Sequence, residues 1–288
     1  MYGRSYTKIL GLVLTVGFLV NCNHAKMEPQ QQPAPVAPQG PVIPGAIPAP
    51  AKPTGRLPKK GAPGISQGVC KPSEVKSDKI VKVLFVVDAS GSNFGANGSI
   101  PSDPKKQWRT ETLRQFITSK VNDKNFFFGM TLFKGASSKS LININNEPGF
   151  SNERNVVAEG FRSFVSTKDG GNTPYRAALR MAKNIIANDM EDNAKDNASY
   201  AVVMVSDGRA TDYKRADDVI PDASAIKELA PDRITLNSVY YSSKKIDRSA
   251  PQYLKSIANI GEGAFVTANT SESLKLGDVI KVSIMSCR

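Results

Sequence analysis

The 288-residue chain holds one histidine, one tryptophan and three cysteines. The histidine, His24, lies in a proline-rich stretch outside anything that reads as folded. A Ser-His-Asp triad and a histidine-bound catalytic zinc are therefore excluded for the folded part. Neither Asp88-Ala89-Ser90-Gly91-Ser92 nor any stretch near it forms a Gly-x-Ser-x-Gly elbow, and no Gly-x-x-x-x-Gly-Lys phosphate loop occurs. Apolar runs long enough to span a bilayer are missing too. Ile9–Val20 is too short for a stable crossing, but after Arg4 and Lys8 it suits a signal-peptide core. Dense basic runs are also lacking. The net charge is +12, and the residues before Cys70 contribute seven Lys or Arg against one acid. The remainder therefore carries about +6, with no Lys/Arg cluster interleaved with aromatics, and nucleic acid is not an expected partner.

The apolar run ends at Leu19-Val20-Asn21-Cys22, which resembles a bacterial lipobox. Asn21 stands where that pattern usually has Ala or Gly. The resemblance implies a signal peptide over 1–21, a diacylated Cys22 and a membrane anchor in a bacterial cell envelope. The alternatives are an ordinary signal cleaved after Ala25 and a free cysteine in an uncleaved anchor. Asn23 replaces the Asp that retains some lipoproteins at the inner membrane, which favours the outer membrane. With Cys22 lipidated, Cys70 and Cys287 remain as an even pair in an oxidising compartment, at the two ends of the folded segment. A disulfide between them is expected, with two free buried thiols as the alternative.

Residues 22–70 read as a tether. Eleven of the nineteen prolines lie between Pro29 and Pro63, and proline fixes φ and removes backbone donors, so the stretch favours extended chain over a core. Fully extended, it would reach at most ~150 Å.

From residue 71 to 288 the pattern changes. Near-continuous apolar runs at Ile80–Val87, Phe126–Phe133, Ala201–Val205, Ile234–Tyr241 and Ala264–Val266 predict strands buried on both faces. Between them Leu113, Phe116, Ile117 and Val121 share one helical face, and Ala178, Met181, Ala182 and Ile185 another. Leu254, Ile257 and Ala258 make a third. The alternation predicts an α/β domain, doubly wound, with a mostly parallel central sheet flanked by helices. Ligands in such sheets sit beyond the carboxyl ends of the strands, where the strand order reverses.

The first strand runs into Asp88-Ala89-Ser90-Gly91-Ser92, and Ala201–Val205 runs into Ser206-Asp207-Gly208. Between them Gly170-Gly171-Asn172-Thr173-Pro174 leads into a helix. Two acids and three hydroxyls at strand or loop ends form an all-oxygen set suited to a hard cation. Mg²⁺ is the first choice, with Mn²⁺ or Ca²⁺ as alternatives.

These three segments, in this order, resemble the von Willebrand factor type A domain with its metal-ion-dependent adhesion site. The resemblance spans roughly Asp78 to the C-terminus and implies a Rossmann-like fold and a non-enzymatic role. It also implies that Ser90, Ser92 and Thr173 supply hydroxyl ligands while Asp88 and Asp207 bind directly or through water. The implied partner is a protein that presents an Asp or Glu carboxylate. Two rivals remain. One is a Mg²⁺-dependent phosphotransferase or hydrolase on a doubly wound fold, although Ser90 stands where the haloacid-dehalogenase type has a second Asp. The other is a scaffold of this fold that holds no metal. The loop Asn93–Pro104 follows Ser92 and is expected to border the site.

Overall fold

The structure, a computed structural model, describes residues 68–75, 78–96, 100–243 and 249–284. The signal segment, Cys22, the chain up to residue 67 and Cys287 lie outside them. The described chain opens with a strand, β1 (Gly68–Cys70), paired antiparallel with Val282–Ile284. Gly68–Cys70, read from the sequence as the end of the tether, are thus part of the fold. Their partner lies more than two hundred residues away, beyond the reach of local patterning.

β2 (Val81–Asp88) is buried at every position, as an unbroken apolar run requires of a strand covered on both sides. Lys82 interrupts that run without leaving a lone charge. Its Nζ lies 2.8 Å from Asp189 and 3.4 Å from Asp196. Next come α1 (Gln107–Lys120), β3 (Phe126–Lys134) and β4 (Ser137–Ser140), which returns antiparallel along β3. A small hairpin of β5 (Asn143–Ile144) and β6 (Glu147–Pro148) precedes α2 (Arg154–Ser166) and α3 (Tyr175–Asp192). Strands and helices then alternate: β7 (Ser199–Ser206), α4 (Ile220–Lys227), β8 (Ile234–Ser242), α5 (Ala250–Ile260) and β9 (Glu262–Asn269). The short α6 (Leu276–Val279) and β10 (Val282–Ile284) close the described chain.

The main sheet has the order β4-β3-β2-β7-β8-β9, and every neighbouring pair is parallel except β3 with β4. The chain leaves β2 for β3 on one side and comes back to β7 on the other. Strand order therefore reverses between β2 and β7. Successive β2 residues face opposite layers. Val83, Phe85 and Val87 pack with residues of α1, α2 and α6, whereas Leu84 and Val86 pack with α3, α4 and α5. This is the doubly wound, mostly parallel α/β arrangement that the alternation predicts. Among the three consecutive phenylalanines, Phe126 and Phe128 are buried and Phe127 is half-buried, as a strand with one outward ring should be. Among the described residues no helix is long and apolar enough to cross a membrane.

Candidate metal centre

Asp88 is the last residue of β2 and Ser206 the last of β7, the two strands that flank the reversal. Asp207 follows directly, so both acids are delivered to one edge by parallel neighbours in register. The loop carrying Thr173 is laced to this edge by backbone bonds. Gly170 N–H donates to Ala89 C=O (2.8 Å), and Gly91 N–H donates to Gly171 C=O (2.9 Å). Gly171 has φ +74°, and a Cβ there would fall 2.9 Å from Gly135 Cα, so only glycine fits this crossing. Thr173 exchanges bonds with Thr211: its N–H donates to the Thr211 hydroxyl (3.2 Å), and Thr211 N–H donates to its carbonyl (3.0 Å). The Tyr175 hydroxyl donates to Gly208 C=O (2.9 Å), which fixes the start of α3 against the Asp207 turn.

The five expected side chains converge. Ser90 Oγ and Ser92 Oγ lie 3.0 Å apart, and the Ser92 hydroxyl donates to Asp207 Oδ1 at 2.9 Å. A Cβ placed on Gly208 would sit 3.2 Å from Thr173 Oγ1 and 3.3 Å from Ser92 Oγ, so both hydroxyls border the same glycine. Asp88 Oδ1 accepts from Ser90 N–H (2.7 Å), and its Oδ2 accepts from the Ser206 hydroxyl. Asp88, Ser90, Thr173 and Asp207 are all buried. Asp207 Oδ2 is buried as well and has no hydrogen-bond partner.

A buried carboxylate oxygen with nothing to accept is costly, and a cation is the natural partner for it. The electrostatics agree. Burial, and then the charge of Asp207, push the Asp88 carboxyl from an ordinary 3.8 up to about 7, against the bonds from Ser206 and Ser90. Burial raises Asp207 too, against the Ser102 and Ser92 hydroxyls and the charge of Arg109. Among the described residues no three His, Cys, Asp or Glu side chains converge. A cation at this edge would therefore draw on hydroxyls as well as the two acids, and that donor set suits a hard divalent ion.

A pH dependence follows for the metal-free chain. Folded Asp88 keeps its proton up to about pH 7, whereas the unfolded chain releases it near 3.8. Between those values the folded state binds more protons, so stability falls as pH rises through this window. Urea midpoints measured in chelator are expected to drop between pH 5 and pH 8. A flat or rising profile would contradict the buried acid pair.

Sequence reasoning did not single out Ser206, although its place between a strand and an acid was visible. It also missed Arg109, in the first turn of α1. Arg109 is fully buried. It donates to the Asp88 carbonyl (2.6 Å), to Asp103 (3.0 Å) and to Asp169 (2.6 Å). Trp108 is the packing anchor its position suggests: it stacks on Tyr241 at 5.0 Å, and its Nε1 donates to Glu272 C=O at 2.8 Å. The segment after Asp207 is part exposed and part buried. Arg209 and Lys214 are exposed, but Tyr213 is buried and Asp212 accepts from Arg176 N–H (2.8 Å) at the start of α3.

No protein-family model matches the chain, and no curated protein does. Several solved structures are similar to it. The VWA domain of SpRpn10 has 13% identity over 69% of this chain and 93% of that one, with a TM-score of 0.48. A von Willebrand factor type A protein from Catenulispora acidiphila has 15% identity over 69% of this chain and 40% of that one, with a TM-score of 0.47. The vWF domain of the type V pili tip protein Mfa5 from Porphyromonas gingivalis has 12% identity over 69% and 93%, with a TM-score of 0.46. The first two are described as von Willebrand factor type A and the third as a vWF domain. Likeness at this level assigns the chain to no family.

Proposed function

We propose that this chain is a non-enzymatic docking protein of the von Willebrand factor type A kind, which holds a divalent cation, Mg²⁺ before Mn²⁺ or Ca²⁺, at the edge between β2 and β7. Asp88, Ser90, Ser92, Thr173 and Asp207 would hold the ion. When bound, it would offer a strongly attracting point for an anionic oxygen, such as a partner's Asp or Glu carboxylate. The residues themselves do the rest. The two acids bring negative charge to a buried edge, the hydroxyls add neutral donors that leave the cation's charge incompletely satisfied, and the bonds among the three loops hold the group in place. The observation that carries this reading is the unpartnered, buried Asp207 Oδ2 in the midst of that group. Against an enzyme of the phosphotransferase kind, Ser90 stands two residues after Asp88 in place of a general acid and bonds to Ser92, which in turn donates to Asp207.

Calorimetric titration with Mg²⁺ should give saturable binding by the folded chain. Pull-down should then recover a partner with wild type in Mg²⁺, but neither in chelator nor with Asp88→Ala plus Ser90→Ala. A partner kept equally in all conditions would detach function from the metal. Mg²⁺-dependent turnover of a generic phosphoester, lost in Asp88→Ala, would favour the enzyme instead.

The same reading places the domain on a lipid-anchored tether in a bacterial envelope, on the outer membrane before the inner. Its support is the Leu19–Cys22 segment and the fact that Cys70 is buried and is not a free thiol, as pairing with Cys287 requires. Mass spectrometry of the unreduced chain should give a Cys70–Cys287 cross-linked peptide and a diacylated Cys22. A reduced Cys287 or an unmodified Cys22 would remove the corresponding claim.

A further inference from the structure

The charges along the metal edge do not cancel. Asp103 and Asp169 are taken by Arg109, at 3.0 and 2.6 Å, and Asp169 also by Lys106 at 3.1 Å. Asp88 and Asp207 together would balance a bound divalent ion. Asp212 is turned toward α3: its Oδ2 accepts from Arg176 N–H at 2.8 Å, and its Oδ1 is buried. Lys134, Lys168 and Arg209 remain on the same edge. No carboxylate among the described residues pairs with Lys134 or Lys168.

The bonds that build the site also hold these cations beside it. Lys134 is the last residue of β3. Before it, the Phe133 carbonyl accepts from the N–H of Ala89, the residue after Asp88, at 3.0 Å. After it, Gly135 N–H donates at 2.9 Å to the carbonyl of Asn172, the residue before Thr173. The Lys134 ammonium donates to Lys168 C=O at 2.6 Å in an exposed position. Lys168 is itself exposed and lies two residues ahead of Gly170, which is bonded to Ala89. Arg209 is exposed and directly follows Gly208, the glycine bordered by the Thr173 and Ser92 hydroxyls. Its guanidinium donates to Lys214 C=O at 3.4 Å, so it stays over the loop that follows Asp207. Two cations thus stand on the Thr173 side of the centre and one on the Asp207 side.

We infer that Lys134, Lys168 and Arg209 form a basic collar that selects an acidic stretch of a partner protein, in which the metal-docking carboxylate has further Asp or Glu residues beside it. The inference rests on the docking reading above. With the ion bound, Asp88 and Asp207 no longer offset the collar, so the edge attracts acidic chains most strongly in the state that can dock them. Exposed charges act weakly pair by pair and are screened by salt. The collar therefore adds a modest, salt-sensitive preference to a grip that the metal supplies.

The test titrates the purified full chain by NMR, in saturating Mg²⁺ and low salt, with the blocked peptides Gly-Gly-Asp-Gly-Gly and Asp-Gly-Asp-Gly-Asp. The second is expected to bind roughly tenfold more tightly, against the roughly threefold that three equivalent carboxylates give by statistics alone. High salt should reduce the ratio to that statistical value. Lys134→Gln plus Lys168→Gln plus Arg209→Gln should do the same at low salt, while Mg²⁺ binds at least as tightly as in wild type because cations near it are gone. A purely statistical ratio in wild type would overturn the collar and leave the metal reading intact. A larger ratio that survives the triple substitution would overturn the assignment to these residues. If sulfate displaces the acidic peptide far better than chloride at equal ionic strength, the collar holds a tetrahedral anion and the acidic-protein assignment falls. If neither peptide binds in Mg²⁺, the docking reading fails, and the collar with it.

Discussion

Asp88→Asn is expected to weaken Mg²⁺ binding severely yet to make the metal-free chain more stable at pH 8. The two effects come from one charge. In the site reading Asp88 is one of only two anionic donors, so its loss should weaken Mg²⁺ by on the order of 100-fold or more. In the metal-free fold the same carboxyl is fully buried and close to Asp207, and its charge is disfavoured up to about pH 7. Asparagine is nearly isosteric and neutral. Its Oδ1 can still accept from Ser90 N–H, and its amide can donate to the Ser206 oxygen that now donates to Asp88. Removing the charge should therefore stabilise the metal-free chain by about 1–3 kcal/mol at pH 8 and flatten its loss of stability with rising pH. Asp88→Ala shares the binding defect but leaves both donors unpaired, so it should not share the gain. Calorimetry and urea unfolding in chelator measure the two halves separately. Undiminished Mg²⁺ binding by Asp88→Asn would sink the site, and equal destabilisation by both variants would sink the electrostatic account.

Arg109→Ala should cost about 3–5 kcal/mol of stability. Its guanidinium serves the Asp88 carbonyl and the carboxylates of Asp103 and Asp169 from a fully buried position. Part of the loss is softened. Lys106 Nζ remains 3.1 Å from Asp169, and Asp103 keeps the N–H donors of residues 108 and 109 at the start of α1. The Asp88 carbonyl has no such reserve, which couples this residue to the metal edge. Arg109→Lys keeps the charge but not the planar fork, and should recover less than half of the loss. A urea midpoint for Arg109→Ala within about 1 kcal/mol of wild type would show that the pairing is not structurally important.

The five oxygen-bearing residues were legible because each sits at a strand or loop end marked by its neighbours: an apolar run before Asp88 and Asp207, glycines and a proline around Thr173. The parallel sheet was legible for the same reason, since strands buried on both faces leave long apolar runs. Arg109 was not, because a charged residue in the first turn of a helix gives no local sign that two distant acids will enclose it. β4 escaped notice as a polar edge strand, Ser-Ser-Lys-Ser, with no alternation to announce it. β1 and β10 are three residues each and exist only through one another. Where a residue's role is set by a partner far along the chain, composition and spacing carry little of it.

The route from β1 to the metal edge has a mechanical consequence. Gly68 enters the fold near the starting ends of the parallel strands, where Ser283 of β10 donates to the Asp232 carbonyl just ahead of β8. From there the backbone leads through β2 to Asp88 at the opposite end. In the proposed reading, tension between a tether ahead of Gly68 and a partner held at Asp88 would run lengthwise down β2. That strand is laddered on both flanks, to β3 and to β7. Drawing it out would mean shearing two ladders together, so a tug falls on an interior strand of the sheet and not on an edge strand.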